Sequence, residues 1–184
     1  MTKHLAALAH MSKRRPILVS VALVAVGLLW YLFRPDALVT SRTVQEPFPT
    51  TQESASMMRA PVMGVSDEAP ARIVAGTFHS NAHETKGSAT IYLLDNGRRV
   101  LRLTEFSTSN GPDVRVYLVA AADVQKEDAA KRAGFVDLGA LKGNVGEQNY
   151  DVPEALDLTK YRSVSIWCRR FSVNFGAAPL TESM

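Results

Sequence analysis

The chain of 184 residues contains a single cysteine, Cys168. One thiol excludes an intramolecular disulfide and any multi-cysteine zinc or iron–sulfur site within one copy. A Cys-x-x-Cys-His haem attachment is excluded by the same count. The thiol stays free, pairs with another molecule, or ligates something with help from other residue types. The sequence also lacks a nucleophile elbow, a paired-carboxylate signature and a phosphate loop, so hydrolase and nucleotide-binding functions have no support. No acid precedes the first long apolar run, whereas Lys3, Lys13, Arg14 and Arg15 do. The formal net charge of +3 therefore comes largely from a short basic tail, and acids and bases nearly cancel from Ala71 onward. A folded face with clustered Lys and Arg is missing, which argues against nucleic-acid binding.

Residues 16–33 carry no charge. As a helix rising about 1.5 Å per residue they would span roughly 27 Å, close to the hydrocarbon thickness of a bilayer. Trp30 and Tyr31 stand where interfacial aromatics stand, and Arg14, Arg15 and Arg34 can snorkel to headgroups. Bases before the run outnumber those just after it. A single-pass anchor in the cytoplasmic membrane is therefore expected, with the N-terminus inside and the rest outside. No Ala-x-Ala pattern follows Phe33, which disfavours a cleaved signal peptide.

From Arg34 to about Ala71, Pro35, Pro47, Pro49, Pro61 and Pro70 interrupt a stretch without sustained period. This reads as an extended or disordered tether. Met57, Met58 and Met63 could suggest a copper-binding segment, but no His or Cys stands near them.

Beyond Ala71 the pattern is strands and turns. Asn96-Gly97 between two apolar-rich runs signals a hairpin. Asp123 to Arg132 reads as a short helix or a mobile loop. Seven or eight short strands argue for an all-β domain, an antiparallel sandwich or barrel. In Arg162-Ser163-Val164-Ser165-Ile166-Trp167-Cys168-Arg169-Arg170-Phe171 the alternation puts Val164, Ile166 and Cys168 on one face of a half-buried strand, with Ser163, Ser165 and Trp167 on the other. The chain thus divides into a cytoplasmic basic tail (1–15), an anchor (16–33), a Pro-rich linker (34–71) and an extracytoplasmic β domain (72–182).

Several motifs in that domain fall in a familiar order. They are Gly76-x-Phe78, His83 with Gly87, Gly111-Pro112-Asp113, Leu141-Lys142-Gly143, Gly146-x-Gln148-x-Tyr150, and Tyr161-x-Ser163-Val164-x-Ile166-Trp167-Cys168-x-x-Phe171. Together they resemble the DM-thirteen domain family over roughly Ile73 to Leu180. That domain accompanies DOMON modules in animal Skeletor-type proteins and stands alone in many bacterial ones. The resemblance implies an extracytoplasmic redox or electron-transfer role centred on Cys168, as a bare thiol or as the ligand of a prosthetic group such as haem. It implies a redox or binding module rather than a stand-alone catalyst. Its electron partner would be a separate redox or envelope protein.

The residues themselves leave Cys168 open between two roles. A reactive thiolate needs positive charge and exposure, and Arg169 and Arg170 supply the charge in sequence. The face shared with Val164 and Ile166 suggests an inert core thiol instead. His79 and His83 are the only histidines of the domain, and with Cys168 they form the ligand set of a blue-copper site. No His follows Cys168, however, and the only later Met is Met184, so copper is disfavoured and no metal site is expected. Non-covalent haem held by Cys168, with His83 as the second candidate ligand, stays open. Asp113 either caps its own turn or orients His83 or a ligand. Gly143 and Gly146 flank a loop that either approaches a ligand or merely turns. In the alternative function, the domain is a non-catalytic binding or structural module and Cys168 is packing.

Overall fold

The computed structural model of the chain describes residues 19–28, 31, 41–49 and 70–182. The chain divides into two units, 1–39 and 40–184.

In the first unit a helix runs over 19–28. Its side chains are apolar except for Ser20, and Val19, Val21, Leu23, Val24, Val26 and Leu28 are all more than half exposed. No helix among the described residues is long and apolar enough to cross a membrane. Residues 16–18, 29, 30, 32 and 33 of the expected span lie outside the described residues, as do the three methionines of the linker.

The second unit is a two-sheet sandwich. Its strands are β1 (Thr43–Gln45), β2 (Ala71–Thr77), β3 (His79–Ser80), β4 (Lys86–Leu93), β5 (Arg99–Ser107) and β6 (Val114–Val119). After a short helix at Glu127–Ala133 come β7 (Phe135–Ala140), β8 (Val145–Val152), β9 (Ser163–Cys168), β10 (Val173–Pro179) and β11 (Thr181–Glu182). One sheet has the order β1-β8-β5-β4-β2-β11, and the other β3-β10-β9-β6-β7. This is the expected all-β sandwich. Every neighbouring pair is antiparallel except β1 and β8. The β4–β5 hairpin turns where Asn-Gly predicts, with Gly97 at φ +81° and its N–H donated to Leu94 O at 2.9 Å.

The two sheets enclose one core that takes alternate residues from each strand: Ala89 and Ile91 of β4, Leu101 and Leu103 of β5, Val116 and Leu118 of β6, Val164, Ile166 and Cys168 of β9. The phase read for β9 is correct, but all six of its residues are buried, whereas a half-buried strand was expected. The cause is a second, smaller core on the outer face. There the segment from Val124 through the short helix lays Val124 and Ala130 over Tyr117, Val119, Trp167 and Ala177. Ala129, Ala130 and Ala133 give that helix a narrow apolar stripe, enough to cover a strand whose outer residues include a tryptophan.

Among the described residues of the stretch expected as a tether, 41–49 include a strand. Thr43-Val44-Gln45 pairs in parallel with Val145-Gly146-Glu147, adding an edge strand to the first sheet.

Candidate functional site around Cys168

Cys168 is the last residue of β9, with Val114 of β6 and Val173 of β10 as its cross-strand neighbours. Its exposure is 0%, and it belongs to the same core as Val114, Val164, Ile166 and Phe175. The burial is shallow along the chain. Val114 keeps 8% of its surface, Val173 is half-buried, and Arg169, Arg170 and Phe171 are all exposed.

The charge predicted beside the thiol is partly spoken for. Arg169 donates from Nε to Asp113 Oδ2 at 2.7 Å, and its backbone N–H donates to Asp113 O at 2.9 Å. The hydrogen bond and charge of Asp113 push the Arg169 guanidinium above its ordinary value. Asp113 therefore joins the Gly-Pro-Asp turn to the residue after the cysteine, rather than orienting His83.

The two histidines do not converge on the thiol. His83 lies with its ring on Phe175, centroids 4.0 Å apart, and its backbone N–H donates to Phe175 O. His79 is hydrogen-bonded through Nε2 to Asp123 Oδ1 at 2.8 Å. Burial raises the Asp123 carboxyl, but hydrogen bonds with His79, Gln125 and the Val124 N–H outweigh it and hold the group below its usual range. Among the described residues no group of three or more His, Cys, Asp or Glu could hold a metal ion. A haem also fits poorly. Its iron needs an open face on the ligand atom, whereas Cys168 is enclosed by packed side chains and His83 rests on Phe175.

Two features escaped the sequence reading. On the outer face of β9, Trp167 stacks with Tyr117 at 6.3 Å, and Tyr117 stacks at 4.3 Å on Phe135, which is 43% exposed. This aromatic column runs from the residue beside Cys168 to the surface, and the sequence places its three members on separate strands without showing that they stack. The second feature is the clasp formed by Gln148, fully buried on β8. Its Oε1 accepts from the N–H of Lys142 and Gly143, both at 3.1 Å, and from the Tyr150 hydroxyl at 2.8 Å, while Nε2 donates to Gly143 O at 2.8 Å. The motif Lys-Gly followed by Gly-x-Gln-x-Tyr is thus one closed hydrogen-bond unit holding the β7–β8 turn. Gly143 and Gly146 make room for the chain's own β1. A Cβ on Gly143 would run into Arg42 O, and one on Gly146, at φ +107°, into Val44 O.

A family model described as Electron transfer DM13 matches residues 77–180. No curated protein and no solved structure matches the chain.

Proposed function

The chain belongs to the electron transfer DM13 family, and from that premise we propose that it is a membrane-anchored, extracytoplasmic domain whose redox group is Cys168. The observation that carries this reading is the position of the thiol. It is the only one in the chain, it ends the central strand of the second sheet, and the exposed Arg169-Arg170 turn follows at once. Opening the rim at Val114 and Val173 would expose the thiol next to the Arg169-Arg170 turn, where the Arg169 charge is shared with Asp113 and positive charge nearby favours thiolate. The anchor is supported by the uncharged run of residues 16–33 and by the exposed helix over 19–28, apolar but for Ser20, which needs an apolar cover. Lipid holds that helix, and a separate redox or envelope protein exchanges electrons with the domain.

A second reading has its own observation in favour. At 0% exposure Cys168 behaves as a core residue, and the domain then binds a partner without redox chemistry. One experiment separates the two: alkylation of Cys168 in the full-length chain in detergent, across low urea. The redox reading expects native labelling at a rate nearly independent of urea, because a local opening exposes little surface. Labelling that occurs only along the global unfolding transition would leave the binding module as the account. Membrane association that survives alkaline washing and is lost on deleting residues 16–33 checks the anchor.

A further inference from the structure

We propose that the end of the sandwich around Cys168 rests on an anionic lipid surface, with Phe171 entering the headgroup layer; this rests on the anchor reading given above. At that end β4, β6, β8 and β10 begin and β5, β7 and β9 finish, as the pairs Lys86↔Ser107, Ser107↔Val145, Arg115↔Ala140, Val114↔Cys168 and Val173↔Cys168 require. Its connections are 81–86, 108–113, 141–144 and 169–172. The tip of the β9–β10 turn is Arg169-Arg170-Phe171. Phe171, 62% exposed, is the most exposed large apolar side chain of the sandwich among the described residues, whereas Leu93 and Phe135 at the far end are each more than half covered. By sequence, these connections and the entering residues 42–46 hold five bases against three acids. The far-end connections, 94–98, 120–134 and 153–162, hold equal numbers. An exposed aromatic ring among an excess of bases is the composition that settles at an anionic interface, with the ring at the acyl boundary and the guanidinium groups at the phosphates.

The chain also enters the domain at this end. The Arg42 N–H donates to Asn144 Oδ1 at 2.7 Å, the Arg42 carbonyl accepts from the Val145 N–H at 3.3 Å, and β1 then runs parallel to β8. Asn144 is fastened in turn to Thr108, whose N–H donates to Asn144 O at 2.8 Å and whose carbonyl accepts from Asn144 Nδ2 at 3.1 Å. Nine residue steps separate Arg42 from Phe33, the last residue of the uncharged run, a reach of at most about 32 Å. The nine residues of β5 alone rise about 30 Å. A sandwich resting on its far end would need nearly all of that reach, and one resting on the end around Cys168 needs little of it.

The test uses full-length chains in vesicles of equal parts phosphatidylcholine and phosphatidylglycerol, with Cys168→Ala removing the native thiol. One variant carries a fluorophore through Ala82→Cys, an exposed position beside the tip, and the other through Leu93→Cys at the far end. Nitroxide-labelled lipid is the quencher. Quenching at position 82 should exceed that at position 93 at least threefold. Adding Phe171→Ser should remove most of the excess, and phosphatidylcholine alone should halve it or more. Equal quenching at both positions, in chains that resist alkaline washing, would overturn the proposal with the anchor left standing, and would leave this end to a protein partner. An excess that survives Phe171→Ser would overturn the role of the ring, and one unchanged without phosphatidylglycerol would overturn the role of the bases. A chain that washes off the vesicles has no anchor, and the proposal falls with it.

Discussion

Strands β8 and β9 each place three alternate residues in the same core, and they fill it by different means. β8 contributes Gln148, Tyr150 and Val152, while β9 contributes Val164, Ile166 and Cys168. The first set is polar at one end, with its polar atoms tied to one another and to the Lys142–Gly143 turn. The second set is apolar except for a thiol, whose hydrogen bonding is weak. A buried amide is stabilising only as part of a complete set of partners, whereas a buried thiol tolerates having none. The β8 end of the core should therefore fail sharply when one member is removed, and the β9 end should fail gradually.

Gln148→Leu should break the comparison hardest. It keeps the volume but leaves the Gly143 N–H, Gly143 O and the proton of the Tyr150 hydroxyl without their partner, while the Lys142 N–H keeps only its 3.2 Å bond to the Tyr150 oxygen, at a cost of about 4 kcal/mol. Urea unfolding of the full-length chain checks this. A loss under about 1 kcal/mol would mean that water replaces the amide.

The next effect is set by pH. Tyr150, 4% exposed, has its hydroxyl pushed up to about 12, chiefly by burial. A raised value in the folded state means that this contribution is complete below pH 10 and fades as pH rises toward 12. The full loss is about 3 kcal/mol, two pH units of displacement. Tyrosinate absorbance should show two of the five tyrosines ionising late, Tyr117, which burial also raises, and Tyr150, with Tyr150 ionising only on unfolding. Ionisation of all five below pH 11 in the folded protein would contradict the enclosed hydroxyl.

The smallest effect belongs to β9. Cys168→Ser puts a stronger donor where the neighbours are Val114, Val164, Ile166 and Phe175, costing about 1–2 kcal/mol. Cys168→Ala should cost no more than the serine variant. Urea midpoints of the two variants decide it. A serine variant clearly more stable than the alanine one would show that the site offers a hydrogen-bond partner and is less apolar than β9 implies.

What could be read from the sequence follows the same division. The alternation in β9 gave the right phase, because apolar residues at every second position leave little choice of face. Which residues cover the outer face was not written there. That cover comes from Val124 and the short helix, a charged stretch whose few apolar positions matter only once β6 and β9 are side by side. β1 was invisible for a stronger reason. Three residues between prolines have no period, and their seat is made by Gly143 and Gly146 about a hundred positions later. The sequence marks those glycines as a place of close approach or a turn, and the structure fills it with the chain's own β1. Gln148 could be quoted as part of a motif, but its role needed the Lys142–Gly143 turn folded back onto it. The histidines were grouped with Cys168 by residue type alone, and the fold assigns His79 to Asp123 and His83 to Phe175.

The parallel pairing of Thr43 with Val145 also sets a clock on biosynthesis. The two residues are 145 − 43 = 102 positions apart. At about 5–20 residues per second, β1 leaves the ribosome roughly 5–20 s before its partner exists. The antiparallel hairpin of β4 and β5 closes within its own short stretch, whereas β1 waits for β8, and the second sheet waits longer still for β9 and β10. During that interval a nascent chain exposes an unmatched strand, and its neighbours on the same message expose theirs. Translation speed, a quantity outside the folded structure, then sets how long that strand stays unmatched.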